Sequence, residues 1–373
     1  TSYYGDGSNL SNITSTTINS NADNRVITGS DTANTLNGES SLTFDGSILS
    51  VNSVNVGKGA NSASGNTVLG ENALDDSVSG TNNTAIGQNV LTLLTTGADN
   101  TSVGRNSLDA NTTGGNNTAM GSGALSSNTT THNNTAVGYV ALNANSGGSN
   151  LCAFGSGALD ANSTGSNNNA FGRNALGANT TGAFNAAFGY EALATATTVS
   201  NNSAFGHNTL NANTTGSSNS AFGSSALDAN TTGSNQTAIG VGALGACTTG
   251  ESNTAVGQAS LSSLTTANDN TAVGRAALVS CNGGQNTALG YYAGQSVSTG
   301  TYNVLIGYNS AIAITTGAYN VAVGALALDA NTTASNNTAV GYHALGANTT
   351  GTNNTSVGYL ALTANTTASN NTA

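Results

Sequence analysis

The chain has very little charge and lacks several residue types that common binding and catalytic functions require. Proline and tryptophan are absent from its 373 residues, 6% are charged, and 5 basic residues face 16 acidic ones for a net charge of −11. No basic patch is available to neutralise phosphates, so the sequence argues against binding to nucleic acid or to anionic membranes. No apolar run approaches the ~18 residues of a membrane span, so membrane insertion is not expected.

What the chain does contain is a repeat. The pentapeptide Asn-Thr-Ala-(aliphatic or Phe)-Gly recurs every 17 residues, with some degenerate copies, and one residue is deleted before Gly290. A period held this far predicts a stacked array in which each repeat rests on the next. The 18 repeat glycines are Gly70, Gly87, Gly104, Gly121, Gly138, Gly155, Gly172, Gly189, Gly206, Gly223, Gly240, Gly257, Gly274, Gly290, Gly307, Gly324, Gly341 and Gly358.

Two apolar columns emerge when the repeats are aligned on this glycine. The residue before it is large and apolar in every copy, and the residue four after it is usually leucine, with lapses at Gly294 and Ala311. We expect both columns to form the core, with the phenylalanines stacked as a ladder. The predicted core residues are Phe154, Phe171, Phe188, Phe205, Phe222, Leu176 and Leu210.

The segments between these columns favour turns over helices. Clusters such as Ala-Asn-Thr-Thr-Gly-Ser-Asn-Asn separate short apolar stretches, which is a poor helical pattern. The repeat glycine is expected to end a strand with a positive φ. Asparagine pairs such as Asn116–Asn117 and Asn353–Asn354 are expected to form amide ladders between turns. The predicted fold is all-β, a parallel β-solenoid of about 18 turns that rises about 4.8 Å per turn.

A third column suggests self-association. The residue two before the repeat glycine is Ala or Ser in 16 of 18 copies, the exceptions being Val68 and Leu305. Strand alternation places this column on the face opposite the presumed core column. Because a solvated face would tolerate larger polar residues, the small side chains favour close approach of another copy over a solvated small-residue face.

The residue after the repeat glycine is often long and amphipathic. Tyrosine and arginine are typical of subunit seams, and they also suit an exposed strip or a surface that stacks on sugar rings. Both interpretations, ligand strip and seam, are kept. The candidates in this column, named here the Tyr/Arg column, are Tyr139, Tyr190, Tyr308, Tyr342, Tyr359, Arg105, Arg173 and Arg275, and Tyr291 occupies the same position.

No constellation of reactive residues supports an enzyme. His132, His207 and His343 occupy different repeat positions, Lys58 is the single lysine, and Gly240–Gly245 matches a dinucleotide motif only by coincidence with the repeat. The column of Asp75, Asp109, Asp160, Asp228 and Asp329 is compatible with weak cation binding, but the favoured interpretation is solvated turn residues. Cys247 and Cys281 lie two turns apart, about 9–10 Å, which is too far for a disulfide, and Cys152 lies elsewhere in the repeat. We therefore expect three free thiols and no catalytic residue, cofactor or metal site.

At Asn134-Thr135-Ala136-Val137-Gly138, and again at 253–257 and 270–274, the repeat resembles the head of trimeric autotransporter adhesins, whose motif reads close to Asn-Ser-Val-Ala-Ile-Gly. The resemblance covers roughly residues 57–373 and implies a left-handed parallel β-roll that forms an obligate homotrimer. The chain departs from that family by its longer, 17-residue turn and by the absence of a coiled-coil stalk.

The N-terminal segment resembles a different class. Residues 3–10, Tyr-Tyr-Gly-Asp-Gly-Ser-Asn-Leu, and the stretch from Asn24 to Gly46 look like segments of marine bacteriophage tail proteins. The alternation from Ser41 to Val51 around Asp45-Gly46 predicts a β-hairpin. Two domains are expected: a fibre module at 1–56 that caps the solenoid, and a shaft at 57–373 that continues beyond residue 373.

The functional hypothesis is a structural fibre segment of a phage tail or similar virion appendage, located in the virion, that spaces or presents a receptor-binding tip. Its expected partners are its own copies in a homotrimer, other tail or baseplate proteins and host surface glycans. A bacterial surface adhesin at the cell surface is the alternative. An ice-binding solenoid, suggested by the Thr-Thr pairs, is a weaker one because those pairs adjoin Gly in a turn.

Overall fold

The structure is a computed structural model that describes residues 17–19, 25–29, 35–44, 48–59, 62–76 and 78–373. These residues form an all-β chain of 23 strands in one sheet. Within the described ranges, no helix has the length and apolar character needed to cross a bilayer.

Five strands precede the repeats: β1 (Thr17–Asn19), β2 (Arg25–Gly29), β3 (Thr35–Phe44), β4 (Ile48–Val51) and β5 (Val54–Gly57). Strand β3 pairs parallel with β1 and antiparallel with both β2 and β4. The β3–β4 pairing, with Leu42 opposite Val51, confirms the predicted hairpin. Its Asp45-Gly46 turn and the segment at 3–10 lie outside the described residues.

An antiparallel strand covers the first edge of the repeat region. Strand β5 pairs with β4 on one side and with β6, the first repeat strand, on the other, so that Val56 lies opposite Leu69. A parallel stack would otherwise present unpaired N–H and C=O groups at this edge. The N-terminal hairpin therefore continues into a strand that caps the stack at this end.

The repeat region is a parallel β-solenoid with one short strand per turn. Each strand pairs in register with the strand 17 residues later, or 16 at the deletion. Seventeen steps of about 4.8 Å give a stack about 82 Å long. The strands are β6 (Thr67–Gly70), β7 (Thr84–Ile86), β8 (Thr101–Val103), β9 (Thr118–Met120), β10 (Thr135–Val137), β11 (Cys152–Phe154), β12 (Asn169–Phe171), β13 (Ala186–Phe188), β14 (Ser203–Phe205), β15 (Ser220–Phe222), β16 (Thr237–Ile239), β17 (Thr254–Val256), β18 (Thr271–Val273), β19 (Thr287–Leu289), β20 (Val304–Ile306), β21 (Val321–Val323), β22 (Thr338–Val340) and β23 (Thr355–Val357).

The two faces of each strand are the reverse of the sequence prediction. The small column is inside: Ala187 and Ala204 are fully buried, as are its other members apart from Val68, which is 2% exposed. The large apolar residue before each glycine points outward, so Phe154 and Phe222 are 37% and 40% exposed. The prediction that Phe154, Phe171, Phe188, Phe205 and Phe222 are core, and that the small column faces another copy, is therefore wrong. A 17-residue turn encloses so little width that alanine is what fits opposite leucine.

The leucine column is core, as predicted. Leu176 and Leu210 are fully buried, together with the alanine that precedes each of the column's leucines in many turns. These leucines adopt a positive φ, for example +51° at Leu176, which carries a steric cost for a side chain and is offset by its burial. The segment that carries them is a turn, whose amides bond the next turn, as the Leu176 N–H does to the Ala192 carbonyl at 3.0 Å.

The repeat glycine is required for two reasons, its backbone conformation and its close contact with the next turn. Gly155 has a φ of +137°, which confirms the predicted positive φ. A Cβ at this position would lie 2.5 Å from the carbonyl oxygen of Gly172, because the glycines of successive turns stack directly on one another. Any side chain here would therefore push neighbouring turns apart.

Buried asparagines form the predicted ladders. The backbone N–H of Asn117 donates to Oδ1 of Asn100 at 3.1 Å, and its Nδ2 donates to the Thr131 carbonyl at 2.9 Å. The same pattern recurs near the end of the stack, where the Asn354 N–H donates to Oδ1 of Asn337 at 3.0 Å. Each amide thus satisfies backbone groups of its neighbours within the coil, where an unpaired polar group would be costly.

The lapse of the leucine column at Gly294 is compensated locally. A Cβ on Gly294 would lie 2.5 Å from Cδ1 of Leu305 and 2.9 Å from Cδ2 of Leu278. Leu305, the one leucine in the small column, is fully buried and occupies the space that a leucine at position 294 would otherwise fill. The large side chain of Leu305 in the small column therefore compensates for the leucine that is missing at position 294.

Candidate interaction surface

The outward face of the stacked strands forms a continuous surface, named here the outer face. It consists of the first and third residues of every strand from β6 to β23. The third residue, named here the outer apolar column, is half-buried or exposed in every turn. Leu69, Met120 and Leu289 are 45%, 45% and 48% exposed, and Val357 reaches 61%. An apolar column this long on the surface of a single chain is unusual, and such surfaces mark interaction sites.

The five phenylalanines form the predicted ladder, but on the outer face. The rings of Phe171 and Phe188 have centroids 4.6 Å apart and planes within 8°, and the other three steps are 4.6–4.8 Å and 5–7°. Each ring face inside this ladder is covered by the next ring. What the ladder presents outward is therefore a row of ring edges.

Side-chain volume is balanced across the outer face. In each of the five turns with phenylalanine, the first strand residue lacks a branched Cβ: Cys152, Asn169, Ala186, Ser203 and Ser220. In the turns with an aliphatic residue, the first residue is threonine or valine. The larger residue of one column is thus accompanied by a smaller residue in the other. Such compensation is typical of surfaces that pack against a second surface.

The outer face carries no charged side chain on any strand from β6 to β23. The chain as a whole has a net charge of −11. Its acidic residues in the described turns, such as Asp160, Glu191 and Asp228, therefore lie away from this face. Depletion of charge at the centre of a patch is the compositional mark of an interface core.

The Tyr/Arg column borders the outer face, one glycine beyond it in sequence. All of its predicted members are exposed, from 39% at Tyr190 to 74% at Tyr359 among the tyrosines. The Arg173 guanidinium lies 5.6 Å from the ring centre of Tyr190, and its Nη1 donates to the Tyr190 hydroxyl at 3.2 Å. Tyr291 and Tyr308 stack at 5.7 Å. The column is thus a surface strip in a single chain, with contacts running along the stack.

A second bordering column went unnoticed in the sequence. The residue two before each strand is exposed, apart from the half-buried Asn167, and is Asn in half of the turns. Asn tolerates the positive φ found there, as at Asn133 with +59°. In three turns it is aromatic instead: Phe184 is 61% exposed, and Tyr302 and Tyr319, stacked at 4.9 Å, are 47% and 57% exposed. Alignment of the repeats on the residue two before each strand would have shown this signal.

The groups that catalysis would use are scattered. Across the described residues, no cluster of three or more His, Cys, Asp or Glu is arranged to hold a metal ion. His343 contacts Asp329 at 3.6 Å between Nε2 and Oδ1, whereas His132 and His207 lie in other columns. An open depression of about 490 Å3 is lined by Asp160, Asn174, Glu191 and Asn211, among others. Its polar groups are spread along the stack and form no recognisable nucleophile–base pair.

Burial raises the pKa of the partly buried acids and of the thiols alike. Partial burial raises the pKa of Asp160 above its usual range, while the N–H groups of Asp160 and Ala161 act the other way. Burial raises the pKa of the Cys281 thiol to about 11, so it is not a reactive thiolate at neutral pH. The three cysteines are free, as predicted.

In comparisons with known proteins, no protein-family model and no curated protein matches the chain.

Proposed function

We propose that this chain is a structural fibre segment of a phage tail or similar virion appendage, assembled as a homotrimer. The observation that carries the proposal is the charge-free outer face, which continues for 18 strands along one side of a stiff stack. Three copies that pack this face around a common axis would form a shaft suited to spacing a tip from the virion. Other tail or baseplate proteins would then attach at its ends.

The area of the outer face supports self-association. A surface about 82 Å long and about 10 Å wide presents roughly 800 Å2, about what each partner contributes to a standard-size interface. The apolar column would form the centre of that interface, and the Tyr/Arg column would form its rim. Copies related by rotation about an axis parallel to the stack would place every turn at the height of its equivalents.

The surface proposed to join the copies is therefore not the small column that the sequence suggested. Ala187, Ala204 and their equivalents are buried within one chain, so they have no part in contact between copies. The outer apolar column takes that role in the proposal. The left-handed sense of the coil, implied by the adhesin resemblance, stays a prediction.

A glycan strip receives less support than a seam. Sugar rings stack on the faces of aromatic rings, whereas stacked rings one turn apart cover one another's faces. The Phe ladder and the Tyr302–Tyr319 pair expose edges except at their ends. Edges and long amphipathic chains suit packing against a second protein surface.

One observation favours a second candidate, the ice-binding solenoid. Threonine occupies the first outer-face position in many turns, beside an aliphatic residue, as Thr84 does beside Ile86. This threonine column lies on a strand face, unlike the Thr-Thr pairs considered from the sequence. The five central Phe turns interrupt it with Cys, Asn, Ala or Ser. A thermal-hysteresis measurement distinguishes the candidates, and measurable hysteresis would favour ice binding over the fibre.

The fibre proposal is tested by electron microscopy of the purified chain and of virions that carry it. We expect straight rods about 80 Å long, composed of three chains, and labelling of a tail appendage by antibodies raised against the repeats. Labelling of a bacterial surface instead would support the adhesin alternative. Absence of label on virions would contradict the proposed function even if trimeric rods form.

A further inference from the structure

Two exposed columns border the outer face on opposite sides. The leading flank is the residue two before each strand, and the trailing flank is the Tyr/Arg column, one residue after the repeat glycine. In every turn the two flanks are six residues apart in sequence with the strand between them, as Asp99 and Arg105 are around β8 (Thr101–Val103). Both members of this pair are exposed.

Most of the acidic and aromatic residues of the leading flank lie in turns whose trailing flank carries a complementary residue. The leading flank has two acids, Asp99 and Asp269, and both lie in turns whose trailing flank is arginine. Two of its three aromatic residues lie in turns whose trailing flank is tyrosine. The unmatched residues are Arg173, whose turn has Asn167, Tyr319, whose turn has Ala325, and four tyrosines of the trailing flank whose turns have Asn or Gln on the leading flank: Tyr139, Tyr291, Tyr342 and Tyr359. The four matched pairs are Asp99 with Arg105, Phe184 with Tyr190, Asp269 with Arg275, and Tyr302 with Tyr308.

The two members of each matched pair do not interact with each other within one chain. Among the described residues, the single ion pair joins His343 and Asp329, so neither Asp99 nor Asp269 pairs with its arginine. The carboxylate of Asp99 accepts from the Asn82 amide at 3.2 Å. The Arg275 guanidinium contacts Gln258 and the hydroxyls of Tyr291 and Tyr292. The eight residues of the four matched pairs are all exposed in the single chain.

We propose that copies of this chain associate in parallel and in register, with the leading flank of one copy against the trailing flank of the next. The four matched pairs then form between copies. Six residues along a 17-residue turn rise only about 1.7 Å of the ~4.8 Å per turn, so the two flanks of one turn meet at nearly one height. This inference rests on the proposed self-association and adds its register and its contacts.

The flanks can fix the register between copies, which the outer apolar column cannot do. That column repeats at every turn with similar residues, so a slip by one turn would cost little outside the Phe ladder. After such a slip Asp269 would face Gln258 or Tyr291 and would lose its arginine. Pairs that occur at only a few fixed turns, and differ from the residues of other turns, specify register. Isolated polar residues do the same in coiled coils.

The test is oxidative cross-linking in a Cys152→Ser background, which removes the one cysteine on the outer face. Cysteines replacing both Asp269 and Arg275 should join copies into covalent oligomers, seen on a denaturing gel, and either replacement alone should not. The matched control combines Asp269→Cys with Arg105→Cys, ten turns and about 48 Å apart in a parallel assembly, and should remain unlinked.

Light scattering of the same samples separates the possible failures. A 36.3 kDa monomer would refute self-association itself. Three results would overturn the register while leaving self-association intact. The oligomer could cross-link only in the mismatched variant, only within one chain, or not at all. As a second measurement, Asp269→Arg combined with Asp99→Arg should raise the dissociation midpoint concentration at least tenfold. Adding Arg275→Asp and Arg105→Asp should restore it, and failure to restore it would count against the pairing.

Discussion

The ring of Phe188 stacks on that of Phe205, with centroids 4.6 Å apart and planes 5° from parallel, on the outside of the coil. The alanines that precede them, Ala187 and Ala204, are fully buried on the inside. One strand therefore separates a wide apolar surface from an interior that admits little more than a methyl group. Most of what we expect of this protein follows from that separation.

The small column should tolerate substitution less well than the outer apolar column does. Ala187→Leu should destabilise the fold by about 1–3 kcal/mol, because the interior opposite Leu193 has no room. Phe188→Ala, measured at concentrations where chains do not associate, should cost only about 0.5–1.5 kcal/mol of stacking. Chemical denaturation gives both values. A larger loss for Phe188→Ala would mean that the faces are assigned the wrong way round.

Periodic and local features were predictable from the sequence. The 17-residue period, the buried Leu210, the positive φ of Gly155 and the amide of Asn117 each follow from a residue and its neighbours one turn away. The hairpin of β3 and β4 follows from alternation around a turn. These features depend on chain geometry and need no knowledge of the whole cross-section.

Inside and outside were not predictable in the same way. Alternation shows that Ala204 and Phe205 lie on opposite faces, but not which face is enclosed. Hydrophobicity favoured the phenylalanine, whereas the enclosed width decides in favour of the alanine. The leading flank was missed because small or polar residues, Asn above all, occupy most of it, and they hid Phe184, Tyr302 and Tyr319.

Leucines of the buried column should be locally essential. Leu193→Ala should cost about 2–5 kcal/mol, since Leu193 is fully buried and the turns on either side are held by their own leucines. The matched control is Leu93→Ala, at a side chain 50% exposed, for which we expect little change. Hydrogen exchange should increase near residue 193 and much less in distant turns. Uniform loss of protection would contradict the independence of the turns.

Stability should depend on pH through the partly buried aspartates. The pKa of Asp160 and that of Asp228 are raised, first by desolvation, so the folded chain holds these protons more tightly than the unfolded chain. This contribution is present below the ordinary value of 3.8 and is lost as pH rises through the raised folded pKa.

Asp160→Asn should therefore stabilise the chain at pH 7 and make little difference below pH ~3.8. Asn143 occupies the equivalent position and shows that an amide fits, because its Nδ2 donates to the Gly123 carbonyl at 3.1 Å. Urea denaturation of the two proteins at both pH values gives the comparison. An equal effect at both would show that ionisation is not responsible.

A second ladder of buried asparagines runs along the position seven residues after the repeat glycine, and its interruption at Ala196 should be repairable. The Nδ2 of Asn179 donates to Oδ1 of Asn162 at 2.9 Å, but its own Oδ1 has no partner, because Ala196 stands one turn later where an Asn would donate. Nearby Val199 is buried, and the equivalent Ala334 coexists with Asn331, whose Oδ1 accepts its N–H at 3.1 Å.

Ala196→Asn with Val199→Ala should accordingly be more stable than Ala196→Asn alone by about 1 kcal/mol, through the added hydrogen bond and the room made for it. Thermal unfolding midpoints of the two variants provide the measurement. A single variant as stable as the double variant would show that Val199 does not crowd the ladder.

The proposed association of copies through the outer face should be visible as the mass of the protein in solution. Light scattering should give about 109 kDa for the unaltered chain, three times the 36.3 kDa of one copy. Phe222→Glu, on the outer face, should reduce this to the single-chain mass, because a charge would be buried at the interface without a partner. Thr232→Glu, exposed in the following turn segment away from that face, should leave it unchanged. A monomeric unaltered chain, or equal masses for the two variants, would show that the outer face does not join copies of this chain.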